Sequence, residues 1–412
     1  MINKNKEYDC IIIGGGPAGM MAAIGAVNRG KKVLVIEKNQ QLGKKLLLTG
    51  DGRCNLSHLE KNNKDFVKNF GTKGDFLLSP FSIFGPRETF DFFEKERLAL
   101  NIENDGRVFP KSNKSKDVLI TLKKMLEGVD ILYGKNVKVI NVENGIIKSI
   151  LLHDDSELKS KSYILCAGGK SFPSTGSDGS GFSLAKSVGH TIVNPVPGLV
   201  PIKIKQKWVK KLMGITMKDV AITFYANSKK IIRDRGSILF THFGITGPII
   251  LNASNELGKH IAKKITIEVD LFPDKNVDDL KKEIFTLIGE NKNKKIKNIF
   301  EVYFSEKLLL AILNFCEIDC NKKAREIKKD DILRMCNFVK KVELEFESLE
   351  SFEISMATNG GVSLNEINSK NMRSKIIKNL YFAGEIVDLI GKTGGYNLQM
   401  CWTTGYVAGN SC

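Results

Sequence analysis

The sequence lacks the features that mark secreted and membrane proteins. Its 412 residues include 8 irregularly spaced cysteines and no Cys-x-x-Cys pair, which predicts a reduced, cytoplasmic chain. No apolar run approaches the ~18 residues of a membrane span, and the first residues do not form the apolar core of a signal peptide. We therefore expect a cytoplasmic protein that does not cross a membrane.

Arginine is also scarce, although the chain is basic. Lys and Arg together number 63 against 46 Asp and Glu, which gives a formal net charge of +17, but only 10 of the 63 are Arg. Nucleic-acid recognition favours clustered Arg, whereas these Lys are scattered along the sequence. We expect solvated lysine-rich surfaces and no nucleic-acid partner. The length allows two or three domains.

A dinucleotide-binding motif lies near the start of the chain. The apolar run 9–13 leads into Gly-x-Gly-x-x-Gly, a helix-compatible stretch follows, and a second apolar run, 32–37, ends in an acid. This order predicts a parallel strand–helix–strand unit. The glycines let the backbone approach a pyrophosphate, the helix start supplies N–H donors, and the acid accepts ribose hydroxyls. The residues concerned are Gly14, Gly16, Pro17, Ala18, Gly19 and Glu37.

Two further features restrict the choice of nucleotide. A carboxylate at Glu37 would repel the 2′-phosphate of NADP, which leaves FAD or NAD. The segment 379–388 predicts a strand that ends in Ala-Gly-Glu, and 394–398 predicts a glycine turn that opens a helix. A plain NAD fold does not need this distant second half-site, so the sequence favours FAD.

The pattern of residues changes twice along the chain. Alternating apolar residues begin near 193 and predict a small antiparallel sheet or barrel, and helical spacing follows over 277–340. The last segment returns to the strand–glycine–helix pattern of the start. We therefore predict an α/β protein with a Rossmann-like FAD-binding domain split in sequence, an inserted β-barrel-like domain and a helical subdomain. The boundaries are 1–191 with 350–412, 192–272 with 341–349, and 273–340.

Several longer motifs resemble a known family. They are Gly43 to Asn55, Gly106 to Pro110, Cys166 to Pro173, Phe240 to Pro248, Asn359 to Val362 and the C-terminal block. Together they resemble the BaiN-like flavoproteins, also described as aminoacetone-oxidase-type FAD-binding enzymes, which have the glutathione-reductase-type fold. The resemblance extends from end to end, although the helical insertion matches only in type. It implies FAD as the cofactor.

The resemblance also implies where FAD would lie. Glu37 and Lys38 would meet the adenosine ribose, Val137 would offer backbone atoms to adenine, and the segment from Thr49 to Asn55 would line the pyrophosphate and flavin. N–H groups at the start of the last helix would face the pyrimidine edge of the flavin, where they would raise its reduction potential. The remaining implied cofactor residues are Gly50, Arg53, Cys54, Ala167, Gly168, Gly384, Glu385, Asp388, Gly395, Tyr396, Asn397 and Leu398.

Four individual residues have competing interpretations. We expect Arg53 to direct its guanidinium to the cofactor, with a structural salt bridge as the alternative. Cys54 has no nearby cysteine for redox chemistry and is interpreted as a packing or backbone contact. His242 would donate a proton to substrate or cap a helix, and Arg107 would reach an anionic substrate or support a turn. Cysteine spacing predicts no metal site.

These features predict an FAD-dependent oxidoreductase. The chain has no second Gly-x-Gly-x-x-Gly motif, so NAD(P)H as electron donor would bind transiently. The leading prediction is NAD(P)H-supported reduction of a C=C or similar bond in an apolar small molecule. An oxidase of an amine or amino ketone stays open. From other classes, an RNA-binding flavoprotein and a flavin sensor without turnover also stay open.

Overall fold

The computed structural model describes residues 7–412, which form two compact units. The first unit contains the chain up to Gly198 together with Ser351–Cys412, and the second unit is Leu199–Glu350. Each unit has its own core of buried apolar side chains. The finer division into three parts stays a prediction.

The described chain contains 19 strands of 2 to 12 residues. In chain order they are β1 (Tyr8–Ile13), β2 (Val33–Glu37), β3 (Ser57–His58), β4 (Leu100–Ile102), β5 (Arg107–Pro110), β6 (Asp130–Tyr133), β7 (Val137–Glu143), β8 (Ile146–Leu152), β9 (Glu157–Leu158), β10 (Ser160–Leu165), β11 (Ile192–Gly198), β12 (Ile202–Ile204), β13 (Thr216–Ala226), β14 (Lys229–Phe240), β15 (Gly244–Thr246), β16 (Ile265–Asp270), β17 (Val342–Leu349), β18 (Ala357–Val362) and β19 (Leu380–Phe382).

Helices connect and cover these strands. In chain order they are α1 (Pro17–Val27), α2 (Asn63–Val67), α3 (Leu78–Ile83), α4 (Pro86–Lys95), α5 (Ser115–Lys124), α6 (Ser180–Ser187), α7 (Lys207–Lys211), α8 (Pro248–Leu257), α9 (Val277–Glu290), α10 (Ile296–Phe300), α11 (Glu306–Phe315), α12 (Lys329–Lys340) and α13 (Tyr396–Ser411). Within residues 7–412, no helix has both the length and the apolar composition needed to cross a membrane.

A parallel five-stranded sheet forms the centre of the first unit, in the order β19-β10-β1-β2-β6. β1 pairs with β2 from Cys10↔Val33 to Ile13↔Ile36, and α1 connects them. Every residue of β2 is buried, as expected for a parallel sheet covered on both faces. The predicted strand–helix–strand unit and the α/β fold class are confirmed.

Small residues bring the first and last helices of this unit together. A Cβ atom at Gly405 would lie 2.3 Å from the carbonyl oxygen of Ala18, and one at Gly409 would lie 2.0 Å from that of Ala22. Only glycine permits this approach between α13 and α1. The contact brings the C-terminal half of the split unit against the helix that follows the glycine motif.

β11 and β18 pair antiparallel inside the first unit, for example Gly198↔Ala357. The boundary of the first unit therefore falls after Gly198, whereas the predicted inserted domain begins at 192. Alternating residues in 192–198 fit a β domain equally well, and the pairing partner lies far away in sequence. The periodicity of 192–198 could not identify that partner.

The second unit contains a closed antiparallel barrel in the order β12-β15-β14-β13-β16-β17. Along β16, buried residues alternate with half-buried ones, which is the pattern of a strand with one face in the core. Helix α9 buries Leu280, Ile284 and Ile288 at helical spacing. The predicted barrel-like sheet and the helical stretch that follows it are confirmed.

Candidate functional site

A cavity in the first unit lies at the carboxyl ends of its parallel strands. It has a volume of about 1190 Å³, including space open to solvent, and its wall contains residues that end or follow β1, β2, β10 and β19. Open α/β sheets bind their ligands outside this edge. The wall residues from these strands are Ile13, Gly14, Ile36, Glu37, Cys166, Ala167 and Ala383.

The three motif glycines have different surroundings. A Cβ atom at Gly14 would lie 2.4 Å from the carbonyl oxygen of Cys166, and one at Gly19 would lie 1.8 Å from the carbonyl oxygen of Gly14. These two glycines permit close backbone packing between strand and helix. A Cβ atom at Gly16 would have no described atom within 4 Å. Gly16 therefore keeps the cavity open at the N-terminus of α1, where backbone N–H groups favour a phosphate.

Glu37 lies in the cavity wall and is 6% exposed. Its Oε2 accepts the backbone N–H of Gly15 at 2.8 Å. Its Oε1 accepts the backbone N–H of Asn39 at 2.8 Å and the side-chain amide of Asn39 at 2.7 Å. These bonds fix the carboxylate beside the glycine motif. A carboxylate has about four acceptor positions, so Glu37 can accept a further hydroxyl.

A largely buried ion pair forms another part of the wall. Lys45 Nζ donates to Glu385 Oε2 at 2.6 Å and also to Ser171 Oγ. Ser171 Oγ donates to Glu385 Oε1 at 2.5 Å, and the N–H of Thr358 donates to the same oxygen at 2.8 Å. The Lys45 and Glu385 side chains are 19% and 15% exposed. Four segments that are distant in sequence thus meet at one carboxylate.

Opposing effects set the protonation of Glu385. Burial raises its pKa, but the charge of Lys45 and the hydrogen bonds from Lys45, Ser171 and Thr358 outweigh burial and hold the pKa below its ordinary value. Glu385 is therefore a carboxylate at neutral pH. Burial, followed by the charge of Glu385, raises the pKa of the Cys401 thiol in the same wall to about 12.

Most of the residues predicted to contact a cofactor lie in this cavity wall. They are Gly14, Gly16, Pro17, Ala18, Glu37, Lys38, Thr49, Val137, Ala167, Gly168, Glu385, Asn397 and Leu398. The structure therefore brings together residues from the start, middle and end of the first unit. Their contact with a cofactor stays a prediction.

The segment after Thr49 turns away from the cavity wall. The N–H of Cys54 donates to the carbonyl oxygen of Thr49 at 2.9 Å, and Gly50 has a φ of 57° within this turn. Cys54 is fully buried, and burial raises the pKa of its thiol to about 12. Such a thiol is protonated at neutral pH and is a poor nucleophile. Asn55 is half-buried beside it.

Arg53 does not line the cavity, which corrects the predicted direction of its guanidinium. Arg53 donates to Glu103 at 2.5 Å, and its guanidinium carbon lies 3.9 Å from the ring centroid of Phe109. Arg107 contacts Glu103 and Asp105, each at 2.8 Å. Acidic and aromatic neighbours therefore engage both arginines. Neighbours distant along the chain, such as Glu103, could not be identified from the motif around Arg53.

Three of the C-terminal residues predicted to contact the cofactor also lie outside the cavity wall. Gly395 has a φ of 101° and precedes α13, and a Cβ atom there would lie 2.2 Å from the carbonyl oxygen of Ser57. Gly384 has a φ of 78° and follows Ala383, the wall residue after β19. Tyr396 stacks on His58 with ring centroids 4.8 Å apart. These three residues shape the backbone around the cavity without lining it.

Two further candidates lie elsewhere. Asp388 pairs with Lys73 at 2.6 Å and is 5% exposed. His242 is an exposed residue of the second unit, and its ring contacts Phe243 with centroids 4.7 Å apart. The helix α8 begins at Pro248, close to the predicted position. A catalytic role for His242 stays a prediction.

Sequence reasoning missed a glycine-rich segment after β10. The segment 175–180 reads Thr-Gly-Ser-Asp-Gly-Ser ahead of α6, and its glycines were the available signal. Ser177 is 7% exposed, and its Oγ has no hydrogen-bond partner within residues 7–412. Lys44 and Lys45 were also missed, because a lysine pair is not distinctive in this chain. The wall residues of the glycine-rich segment are Thr175, Gly176, Ser177 and Ser180.

The fold and the cavity together are those of a dinucleotide-binding protein of the flavoprotein class. The wall is open at Gly16, presents at Ser177 a hydroxyl with no hydrogen-bond partner among residues 7–412, and includes the cationic side chains of Lys38 and Lys44. An extended nucleotide with an anionic pyrophosphate, such as FAD, fits these groups.

Comparison with known proteins identifies the family. The model described as "HI0933-like protein Rossmann domain" matches residues 8–411, and the chain belongs to this family. The family resemblance drawn from the motifs is confirmed, and with it the assignment to an FAD-dependent oxidoreductase family.

Relatives match almost the whole chain. A protein of Clostridium scindens named 3-dehydro-bile acid delta(4,6)-reductase is 30% identical over 97% of this chain and 98% of its own length. The ribosomal RNA dihydrouridine synthase of Escherichia coli K12 is 24% identical over 97% of both chains. The crystal structure of 3-ketosteroid delta1-dehydrogenase from Sterolibacterium denitrificans is 12% identical, covers 98% of this chain and 99% of that chain, and has a TM-score of 0.51. That likeness shows the fold.

Proposed function

We propose that this protein is an FAD-dependent reductase that uses NAD(P)H to saturate a C=C bond conjugated to a carbonyl group in an apolar small molecule. The names of the two full-length relatives carry this proposal. A 3-dehydro-bile acid with double bonds at positions 4 and 6 has both conjugated to its 3-oxo group. Uridine likewise carries its reducible C=C bond beside a carbonyl. Different substrates thus share one bond type.

The cavity wall contains residues suited to the pyrophosphate and the ribose of FAD. Bound FAD would supply hydride transfer. The open wall at Gly16 and the N–H groups at the start of α1 would hold the pyrophosphate, with Lys38 and Lys44 nearby in the wall to balance its charge. Glu37 would accept ribose hydroxyls. Its buried position and three N–H partners orient it for that contact.

The proposal of an apolar substrate rests on the exposed part of the wall. Met356 lines the cavity and is 50% exposed, and Leu398 adds apolar surface to the same wall. An exposed methionine is an adaptable contact for an apolar ligand. These residues would contact the substrate beside the cofactor.

Anaerobic spectroscopy tests the donor and the acceptor separately. Purified protein should be yellow, NADH or NADPH should bleach the flavin absorbance, and a 4-en-3-oxo steroid should restore it. Bleaching by an amine or amino ketone, but not by NAD(P)H, would replace the reductase with an oxidase. A flavin that no donor bleaches would indicate a sensor without turnover.

A second candidate is reduction of uridine in ribosomal RNA. The Escherichia coli relative that carries this name matches 97% of the chain, and the net charge of +17 is compatible with a polyanionic substrate. Mass spectrometry of ribosomal RNA from a deletion strain tests this candidate directly. Loss of a dihydrouridine that returns on complementation would favour RNA over a small molecule. An unchanged set of modified uridines would remove the RNA candidate.

A further inference from the structure

Lys45 has a position unlike the other lysines of the cavity wall. Lys38 pairs with Asp178, whose side chain is 48% exposed, and Lys44 donates to a backbone carbonyl. Lys45 instead pairs with the largely buried Glu385 and contacts Ser171, which is fully buried. Lys45 is therefore a cation whose position is fixed by buried partners.

The hydrogen bonds of Lys45 leave part of its capacity unused. An ammonium group has three N–H donors. Glu385 and Ser171 accept two of them, and no third acceptor is found among residues 7–412. Because Lys45 lies in the cavity wall, the remaining donor is available to a bound group.

Stability alone does not account for this buried ion pair. Removing two charges from water costs several kcal/mol, and replacing a buried ion pair by apolar residues is often neutral or stabilising. The carboxylate of Glu385 is nevertheless satisfied by Lys45, Ser171 and Thr358 in one cluster. A carboxylate held by three donors holds the ammonium in a fixed direction, which is preorganisation.

We propose that Lys45 stabilises the negative charge that develops in the cavity on reduction, and that Ser171 is a positioning residue that acts through Glu385 and Lys45. This inference rests on the proposed function, in which electrons enter the cavity. The negative charge arises either on the bound cofactor or on the carbonyl oxygen of a conjugated substrate. In both cases a fixed ammonium donor is the chemistry required.

The reduction potential of bound FAD, measured without substrate, is the first test. Lys45→Met should keep bound FAD but disfavour its reduction by about ten- to hundredfold, the usual range for a hydrogen bond to a charged group. Each tenfold change corresponds to about 30 mV for a two-electron couple. Lys45→Arg should keep most of the wild-type reduction potential. Ser171→Ala should give a smaller change of about two- to tenfold, the range of one neutral hydrogen bond.

Lys340→Met is the matched control. Lys340 is 15% exposed and pairs with Asp270 at 2.7 Å in the second unit, so its loss removes a similarly buried lysine without touching the cavity wall. Its variant should keep the wild-type potential. If Lys45→Met does not retain FAD, Ser171→Ala and Lys45→Arg decide the question, because both keep a cation at position 45.

The second measurement separates cofactor from substrate. An unchanged potential with a reduced kcat and an unchanged KM for a 4-en-3-oxo steroid in Lys45→Met would assign the charge to the substrate carbonyl. A wild-type potential together with wild-type turnover in Lys45→Met would overturn the inference. Equal potential shifts in Lys45→Met and Lys340→Met would also overturn it. A wild-type protein that binds no FAD would instead contradict the proposed function.

Discussion

The two units differ sharply in how they treat polar side chains. Among the buried polar or charged side chains of residues 7–412, Ser254 and Asp331 belong to the second unit and all others belong to the first. Burying a polar group costs free energy unless it is hydrogen-bonded. The many buried polar side chains of the first unit therefore need an explanation. In the first unit, several of these groups, such as Glu37 and Ser177, lie at the cavity wall. The second unit is built around an apolar core.

This contrast predicts that substitutions in the two units affect different properties of the protein. Changes at the cavity wall should affect ligand binding with little loss of folding, because the wall atoms leave space that a ligand fills. Changes in the core of the second unit should affect folding without altering the cavity wall.

Replacing Gly16 with Val should abolish FAD binding. The backbone at Gly16 is extended with a φ of −77°, and an added Cβ meets no described atom, so the chain can fold with the new side chain. The isopropyl group would occupy the space beside the N-terminus of α1. The purified variant should be colourless with a wild-type far-UV circular dichroism spectrum.

Gly289→Ala is the matched glycine control in the second unit. A Cβ atom there also meets no described atom within 4 Å, and Gly289 lies in α9. Alanine in the last turn of this helix should stabilise the protein by at most about 0.5–1 kcal/mol and leave it yellow. A yellow Gly16→Val protein would contradict the placement of the cofactor at the motif.

Phe300→Ala should test the second unit by creating a cavity. Phe300 is 1% exposed in the apolar core of that unit. Its truncation should cost about 3–5 kcal/mol of unfolding free energy. At a temperature where the variant stays folded, the dissociation constant for FAD should equal that of wild type. A large loss of FAD affinity in the folded variant would show that the core of the second unit and FAD binding are not independent.

Glu37→Gln should weaken FAD binding by a smaller amount than Gly16→Val. The amide would keep the size of the side chain but would present an NH₂ group to N–H donors that now face a carboxylate. Losing a charged acceptor should cost about 1.5–3 kcal/mol in FAD affinity. Titration of the apoprotein with FAD measures this directly. Equal affinity for both proteins would remove Glu37 from the site.

Local sequence pattern predicted much of the first unit and part of the cavity. The glycine motif, the acid at the end of β2 and the glycine turn before α13 are contiguous signals with fixed spacing, and their residues lie around one cavity. The barrel strands were likewise visible as alternation. These features depend on residues close together in sequence, which is the information that periodicity carries.

Other features depend on partners far apart in sequence. The motif around Arg53 predicts a cofactor contact, but in the fold Arg53 pairs with Glu103. Lys45 pairs with Glu385, which lies 340 residues away in the sequence. Residues 192–198 belong to the first unit because β11 pairs with β18, which lies far away in the sequence. Such contacts follow from topology, which a single sequence does not specify.

The smallest expected effect concerns pH and His190 in the first unit. His190 is 2% exposed, its Nδ1 lies 3.1 Å from Glu366, and its Nε2 lies 2.8 Å from Ser374 Oγ. Burial lowers the pKa of His190, and the opposing effect of Glu366 does not restore it. The folded state therefore keeps the imidazole neutral over a pH range in which the unfolded chain binds a proton.

Stability should consequently fall on acidification, beginning near the unfolded-state pKa of about 6.5 and ending below the lower pKa of the folded state. The slope from this residue is at most about 1.4 kcal/mol per pH unit. Urea unfolding of His190→Gln between about pH 7 and 5 should show a shallower loss than wild type, whereas His153→Gln, at an exposed position, should follow wild type. Parallel profiles for all three proteins would show that His190 is not the source of the slope.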